Sequence, residues 1–393
     1  MNTNRNTIRK LYNELSIEVK EMVDSAVKSI VAAKEKGGNV VVVTGSGPNL
    51  HEGVTTLISE LITKGIVDGV TSSSAVVAHE MAGVLDEVIR VDGVELGFPE
   101  NKLPRGNIFE ITKMSDELFN QLKKEMLIDS DLLEKALELN ASIIIKAAGN
   151  MAYPMGLRTE NLAKEILLIA KSKGVAFEVI AGSGADKHTM LGAAYKKGVP
   201  CIVTVPQLIG GGMVGIAIAD SISIMERTTK IAEMLGSADV IIESAVALTQ
   251  EIHDGPFETY TGHGIWADWE GYPTYSLADK TLIRIDLDPN LKKACDFERE
   301  SNTVQEAIDK GMPKTKTMSI PFRMEMSGFA RLEKSIPVVG DIGVIWPIMA
   351  CFIEEKLGIE LDFMSYPQQS PEGKEMRKWI VENVKPVEKG KLF

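Results

Sequence analysis

The sequence predicts an α/β fold in which a mostly parallel β-sheet is flanked by helices. Short runs rich in β-branched residues recur along the 393 residues, and each is followed by glycine or serine and then by a segment with helical spacing. These runs are apolar on both faces, as expected when helices cover both sides of a sheet. The predicted strands occupy 39–44, 65–71, 142–149, 176–182, 200–205, 239–244 and 281–286.

The ends of the chain are predicted to be helical. Residues 1–38 are interpreted as an N-terminal helical arm, in which 5–36 form one long helix with an amphipathic face available for pairing. Helical patterns at 343–356 and 372–383 close the chain. Because no break in composition separates the halves, 39–393 are predicted to form one Rossmann-like domain.

Composition and charge exclude several classes of function. A net charge of -12 argues against a nucleic-acid partner, while it is compatible with a cationic substrate. The 3 cysteines lie far apart and the 5 histidines lack ligand spacing, so neither a disulfide framework nor a metal site is predicted. The N-terminus lacks the apolar core of a signal peptide, and no run of about 18 apolar residues occurs. We therefore expect a cytoplasmic protein without a membrane span.

The segment Asp186-Lys187-His188-Thr189 is the first candidate for chemistry. If 176–181 form a strand, these side chains lie at the carboxyl edge of the sheet, where open α/β folds bind ligands. A partly buried Lys187 could then form a Schiff base, and His188 could exchange protons near neutral pH. The alternative is that Asp186 caps a helix while Lys187 and His188 are solvated.

Two turns after predicted strands are candidates for binding a phosphate. The first, after 39–44, is either an anion cradle or a tight turn, and the second, after 65–71, either binds ligand oxygens or caps a helix. Asp286 ends the last predicted strand, as carboxylates that bind a ribose usually do. The triglycine at 210–212 would let the backbone approach a ligand, or it is only a mobile loop. The candidate residues in the two turns are Gly45, Ser46, Gly47, Asn49, Ser72 and Ser73.

The aromatic and acidic segment 251–273 breaks the strand–helix rhythm and is a candidate for substrate binding. Its imidazole and carboxylates could hold an ammonium or take its proton, and its indoles could stack on the cation. The alternative is that the segment packs at an oligomer interface. The pairs His51-Glu52 and His79-Glu80 are interpreted as local surface interactions, with a catalytic dyad as the alternative. The candidates in 251–273 are His253, Asp254, Trp266, Asp268, Trp269 and Glu270.

Four segments resemble, in the same order, the NAD-binding domain of archaeal-type ornithine cyclodeaminase, also known as the lysine-oxoglutarate reductase/saccharopine dehydrogenase bifunctional conserved region. They are GSGPNLHEGVTTLISELITKGIVDGVTSSSAVVAHEM, GVPCIVTVP, IRIDLDPN and PVVGDIGVIWPIMACFIEEKLG, within 39–357. The resemblance implies a deoxyhypusine synthase-like NAD/FAD-binding fold, NAD as cofactor and a homo-oligomer, either dimer or tetramer. In GDIGVIWP, it implies that Gly340 and Asp341 lie at the nucleotide.

The segment GSGADKHTM also resembles the glycine-rich segment that carries the reactive lysine of deoxyhypusine synthase. This likeness implies that Lys187 carries an imine and that Gly182 and Gly184 approach the cofactor. The two resemblances therefore imply different roles for Lys187. Neither of them covers 251–273 or 310–335, and the arginine-dihydrolase domain of some relatives is absent.

The leading hypothesis is an NAD-dependent enzyme that oxidises a carbon bearing an amino group in a small amino acid or diamine, as ornithine cyclodeaminase does. The first alternative is an aminoalkyl transferase similar to deoxyhypusine or homospermidine synthase, with Lys187 as the imine-forming residue. The second alternative is a non-catalytic nucleotide-binding protein. No arginine follows Asp286 directly, which favours NAD over NADP.

Overall fold

The structure is a computed structural model, and it describes residues 4–149, 151–204, 208, 210–245, 279–300, 302–312 and 334–392. The strands are β1 (Val40–Thr44), β2 (Gly69–Ser72), β3 (Leu85–Asp92), β4 (Ile108–Thr112), β5 (Ser142–Ala147), β6 (Cys201–Val203), β7 (Val240–Ser244), β8 (Thr281–Asp286) and β9 (Ser335–Val339). The helices are α1 (Arg5–Glu14), α2 (Ile17–Glu35), α3 (Ser46–His51), α4 (Val54–Thr63), α5 (Ser74–Met81), α6 (Asp116–Glu125), α7 (Ser130–Glu138), α8 (Met155–Lys173), α9 (Phe177–Gly184), α10 (Met190–Lys197), α11 (Met213–Ser221), α12 (Ile224–Gly236), α13 (Asn290–Glu300), α14 (Thr303–Asp309), α15 (Ile342–Leu357) and α16 (Pro371–Asn383).

Six parallel strands form the main sheet, in the order β6-β2-β1-β7-β8-β9. The chain begins at β1 in the centre, moves outward through β2 to β6, and then returns to β7 and continues to the other edge. β1 and β7 are therefore neighbours whose onward connections leave in opposite directions, which makes their carboxyl ends the topological switch point of the sheet. The predicted α/β fold with a parallel sheet flanked by helices is confirmed.

A second, three-stranded sheet is antiparallel, in the order β4-β3-β5. The run 142–149, which we assigned to the parallel sheet, contributes β5 to this second sheet instead. The assignment was wrong because a continuous apolar run predicts a strand covered on both faces, whereas Ile143 and Ile144 are exposed.

The predicted strand 176–182 is wrong as well, since the chain forms helix α9 there. Phe177, Ile180, Ala181 and Gly184 are buried and have the i, i+3, i+4, i+7 spacing of one helical face. A short apolar run of this kind fits a buried helix as well as a strand, so periodicity alone could not separate the two.

The N-terminal helices pack on the core of their own chain. Ser16 ends the predicted long helix and caps α2, because its hydroxyl accepts a hydrogen bond from the Val19 amide at 3.3 Å. Val23, Ala26 and Val27 are 0% exposed, and α2 packs against β9 and α15. The apolar face that we expected to be available for pairing is therefore covered within the chain.

Helices α2, α4 and α15 cover one face of the main sheet, and α5, α8, α9 and α11 form a separate apolar cluster with β6. α15 and α16 match the predicted helices at 343–356 and 372–383. Within the ranges described above, no helix is both long and apolar enough to cross a bilayer.

Candidate functional site

Buried hydroxyl groups lie at the carboxyl ends of three adjacent strands of the main sheet. Thr44 ends β1, Ser72 ends β2, and Thr204 follows β6, where its amide continues the ladder by donating to the Ser72 carbonyl at 2.8 Å. Within the described part of the chain, none of the three hydroxyls has a hydrogen-bond partner. A buried unpaired hydroxyl costs about 1–3 kcal/mol, so a row of them is typical of an edge where a ligand supplies the partners.

The turn Gly45-Ser46-Gly47 leads from β1 into α3 at this switch point. A Cβ added to Gly47 would meet the His51 ring at 4.0 Å and no other described atom within that distance. Among the residues that the structure describes, the space beside Gly47 is therefore open, as close approach of a ligand to the backbone requires.

Asn49 joins the two strands of the switch point. Its Nδ2 donates to the carbonyls of Gly45 and, at 3.4 Å, Ser244, and its Oδ1 accepts from the Ser244 hydroxyl at 2.6 Å. The same hydroxyl accepts from the Trp346 indole at 2.8 Å. The structure thus uses Asn49, a predicted cofactor-binding residue, to fix the turn after β1 against the end of β7.

The remaining predicted nucleotide-binding residues at this edge carry local hydrogen bonds. The Ser73 hydroxyl caps α5 by accepting from the Val76 amide at 3.2 Å, and the Asp341 carboxylate caps α15. The Asp286 carboxylate accepts from the Asp288 amide at 2.7 Å, and the Asp286 carbonyl accepts from the Gly340 amide at 2.8 Å. The backbone N–H of Gly340 therefore extends the β8–β9 ladder.

The triglycine at 210–212 crosses the start of α5. The Gly211 amide donates to the Ser74 hydroxyl at 2.9 Å, and a Cβ on Gly211 would lie 2.5 Å from the Ser74 carbonyl oxygen. Only glycine allows this approach, which brings the segment after β6 next to the carboxyl end of β2.

The segment Asp186-Lys187-His188-Thr189 connects two helices, α9 and α10, because the strand expected before it is a helix. Lys187 is exposed, and the Asp186 carboxylate accepts from the ring of His188 at 2.9 Å and from the amide of Lys385 at 3.3 Å. The His188 ring lies edge-on to Trp379, with 5.3 Å between centroids. The segment thus faces the C-terminal part of the chain, and the reason for placing it at a strand end no longer holds.

Gly182 and Gly184, predicted to approach the cofactor, are buried inside α9. A Cβ on Gly182 would lie 2.8 Å from the Leu191 carbonyl oxygen, so this glycine allows α9 and α10 to pack closely. A Cβ on Gly184 would lie 2.9 Å from the carbonyl oxygen of Glu388. Both glycines serve helix packing in the structure.

Six predicted residues lie outside the described residues. They are His253, Asp254, Trp266, Asp268, Trp269 and Glu270. Their proposed roles in substrate binding and proton transfer stay predictions.

The sequence interpretation missed a buried polar cluster beside the switch point. His79, Glu52 and Glu80 are buried and His51 is half-buried, so the interpretation of these two His-Glu pairs as surface contacts was wrong. Both pairs lie in the helices that directly follow β1 and β2, and this position was the signal that could have found them. Glu80 accepts the first amides of α10 at 2.8 and 3.0 Å.

The two histidines of this cluster are neutral. Burial and, next, the charge of Arg377 lower the pKa of His51 to about 4, since the guanidinium lies 3.3 Å from Nδ1 of the ring. Burial also lowers the pKa of His79, whose Nδ1 donates to the Ala148 carbonyl at 2.7 Å. The cluster lies where α3 and α5 meet β5 of the second sheet.

Two carboxylates adjoin at the start of α15. Glu52 accepts from the backbone N–H and the side-chain Nε2 of Gln368 at 2.7 and 2.8 Å, and its carboxylate contacts Gly343 closely enough to exclude a Cβ there. Burial raises the pKa of Glu52, and the nearby charge of Asp341 raises it as well, against the hydrogen bonds from Gln368. The described residues contain no group of three side chains arranged to hold a metal ion.

No family model and no curated protein matches the chain. Among solved structures, it is similar to a conserved putative LOR/SDH protein from Methanococcus maripaludis S2, at 12% identity and a TM-score of 0.40 over 87% of this chain and 71% of that one. It is also similar to AgrE in complex with ornithine and NAD+, at 11% identity and a TM-score of 0.42 over 88% of this chain. A third likeness is to a putative deoxyhypusine synthase from Entamoeba histolytica, at 10% identity and a TM-score of 0.41 over 92% of this chain and 96% of that one.

The chain covers 34% of AgrE and 32% of ArgZ, a cyanobacterial arginine dihydrolase to which it is similar at 11% identity with a TM-score of 0.41. Similarity at such low sequence identity describes only the arrangement of helices and strands. The function is therefore argued from the site itself.

Proposed function

We propose that the protein is an NAD-linked enzyme that oxidises a carbon bearing an amino group in a small substrate, with the cofactor at the carboxyl ends of β1, β2 and β7. The observation that carries this proposal is the switch point between β1 and β7. It combines an open glycine turn with a row of buried hydroxyls that have no partner among the described residues.

The residues at this edge fit a dinucleotide. The backbone at Gly47 can approach a pyrophosphate, and the hydroxyls of Thr44, Ser72 and Thr204 can bond its oxygens. Asn49 acts indirectly, by holding the turn in place. When bound, NAD accepts a hydride from the carbon that carries the amine.

The carboxylates at the start of α15 are suited to a cationic group. Glu52 and Asp341 lie close enough for each charge to affect the other, so an ammonium between them would relieve their repulsion. Burial raises the pKa of Glu52, which makes its carboxylate a stronger base than an exposed one. Glu52 thus joins His253 as a candidate base, whereas His188 lies with Lys187 in the connection that faces the C-terminal segment.

Nothing in the described residues favours the transferase alternative. That alternative requires Lys187 beside the cofactor, whereas Lys187 is exposed in a helix-to-helix connection that contacts the C-terminal segment. Lys187→Arg should therefore leave amine oxidation intact, and borohydride should trap no substrate adduct on Lys187. Two results together would support the transferase. They are loss of all turnover in Lys187→Arg and a borohydride-trapped substrate adduct on Lys187 of the wild type.

The test of the proposed function is native mass spectrometry of the purified protein, followed by denaturation and identification of the released molecules. Stoichiometric NAD, and formation of NADH when amino acids or diamines are added, is the expected result. Binding of NAD without turnover of any amine would support the non-catalytic alternative. Failure to carry or take up NAD would refute the proposal.

A further inference from the structure

Arg377 on α16 is a half-buried cation that forms no ion pair with any described residue, and the nearby charge of Glu52 acts on it without a hydrogen bond. Its Nη2 donates to the Ile145 carbonyl and to Nδ1 of His51, and its Nε is buried without a hydrogen-bond partner in the same set of residues. A desolvated charge that is bonded only to neutral groups is costly unless an anion completes its surroundings. By contrast, the nearby Lys146 is paired with Glu110 at 2.6 Å.

The contact with Arg377 fixes the tautomer of His51. A guanidinium has only donors, so Nδ1 of His51 must accept, and the single proton of the neutral ring is then on Nε2. The lowered pKa keeps the ring neutral at physiological pH. His51 therefore presents an N–H donor beside the open space at Gly47, where its ring is the nearest described group.

We infer that Arg377 and His51 form an oxyanion site that binds the carboxylate of the substrate, with Arg377 as the cation and the Nε2–H of His51 as the hydrogen-bond donor. This inference rests on the proposed function and narrows it. Glu52 and Asp341 would hold the ammonium and the Arg377–His51 pair the carboxylate, so the substrate is an amino acid and not a polyamine.

An oxyanion could also come from the pyrophosphate of the cofactor. The carboxylate is favoured because Arg377 belongs to α16 and bonds Ile145 of β5, which is part of the second sheet. The strand-end turns that we assign to the cofactor belong to the main sheet. His51 ends the helix that starts at one of these turns, so its ring adjoins both the cofactor turn and Arg377. If the oxyanion is the substrate carboxylate, Arg377→Gln should weaken binding of the amino acid. If it is the pyrophosphate, the same substitution should weaken binding of NAD+.

The experiment compares amino acids with their own decarboxylated amines in calorimetric titrations, with NAD+ present at saturation. The probes are L-ornithine, L-lysine and L-arginine, each paired with the diamine or guanidino amine that lacks its carboxylate. We expect the wild type to bind at least one amino acid about tenfold or more tightly than its amine, as a charge-assisted contact predicts. Arg377→Gln should remove this preference and leave NAD+ affinity within about twofold. Lys378→Gln removes an exposed charge from the same helix and is the matched control.

A second pair of variants tests His51 separately, in case Arg377→Gln does not fold. His51→Gln keeps an N–H donor and should retain most of the preference, whereas His51→Ala should lose it. In ¹⁵N-histidine spectra of the wild type, Nδ1 of His51 should be unprotonated and Nε2 protonated, and Arg377→Gln should raise the pKa of the ring.

The failures of the two proposals are distinguishable. A wild type that binds no NAD+ refutes the proposed function. A wild type that binds NAD+ but shows no preference for any amino acid over its amine refutes the oxyanion inference alone. An Arg377→Gln variant that weakens NAD+ binding and spares the amino acid also overturns the inference, since the oxyanion would then be the pyrophosphate. A proton on Nδ1 of His51 would contradict the assigned tautomer, and with it the role of the Nε2–H as the hydrogen-bond donor.

Discussion

Replacing Asn49 by alanine should destabilise the protein and weaken NAD binding together. The substitution removes both hydrogen bonds that Nδ2 donates, to the carbonyls of Gly45 and Ser244, and the bond that Oδ1 accepts from the Ser244 hydroxyl. All of these groups are buried at the junction of β1 and β7, so water does not readily replace the amide.

The expected loss of stability follows from that count. Each lost bond contributes about 0.5–1.5 kcal/mol, so the removal of three gives a loss of about 3 kcal/mol in the free energy of unfolding. Asn49→Asp has the same size but turns a carboxylate oxygen towards two carbonyl oxygens. It should therefore cost at least as much as alanine.

The assay is urea denaturation, in which the change in midpoint at constant slope gives the change in stability. Asn39→Ala is the matched control, because it removes an exposed amide that bonds the Ser237 carbonyl at 3.1 Å and should cost about 1 kcal/mol or less. NAD+ affinity, measured by calorimetry, should fall by about tenfold in Asn49→Ala because the turn at Gly45 loses its anchor. A loss of stability below about 1 kcal/mol with unchanged NAD+ affinity would refute the role given to Asn49.

Three further substitutions test buried contacts in the fold. Arg227→Met should destabilise by about 3–5 kcal/mol in denaturant titrations, since it leaves Glu178 buried without its cation, and a loss within experimental error would contradict this. Gly192→Ala should lower the midpoint of thermal unfolding because its Cβ would overlap the Asp186 carbonyl. An unchanged midpoint would show that the segment between α9 and α10 shifts at no cost in stability. Burial raises the pKa of Glu80 to about 7, against the two amide bonds that it accepts. Because the folded-state pKa lies above the unfolded value of about 4.3, the stability that Glu80 contributes is present below about pH 4.3 and lost as pH rises through 7. Glu80→Gln should therefore gain stability relative to the wild type between about pH 5 and pH 8, and a constant difference between them would show that Glu80 does not titrate there.

Much of the main sheet could be predicted from the sequence, because its strands are short apolar runs followed by small residues. The runs at 39–44, 200–205, 239–244 and 281–286 overlap β1, β6, β7 and β8 for this reason. The second sheet was missed because β3 and β4 contain charged residues, such as Arg90 and Glu110, that pair with each other across the strands at 3.2 Å. Charges on a strand hide the apolar pattern from which strands are predicted.

The site was predictable only where a single turn defines it. The glycine turn after β1 could be read from local sequence, whereas His51 and Arg377 are 326 residues apart and meet only because the C-terminal helix packs beside α3 and β5. No spacing rule connects them. Similarly, the prediction for Lys187 depended on whether 176–182 form a strand or a helix, and the apolar pattern there is compatible with both.

The central claim is that NAD binds at the switch point beside Gly47, and the most direct measurement is calorimetric titration of NAD+ into the wild type and Gly47→Val. A Cβ at Gly47 meets no described atom closer than 4.0 Å and valine is no worse than glycine in a helix, so the variant should fold as stably as the wild type. Gly390→Val, at another open glycine, is the control. The account predicts that the wild type and Gly390→Val bind NAD+ while folded Gly47→Val does not. Equal affinity in all three proteins would show that NAD+ binds elsewhere and would contradict the claim.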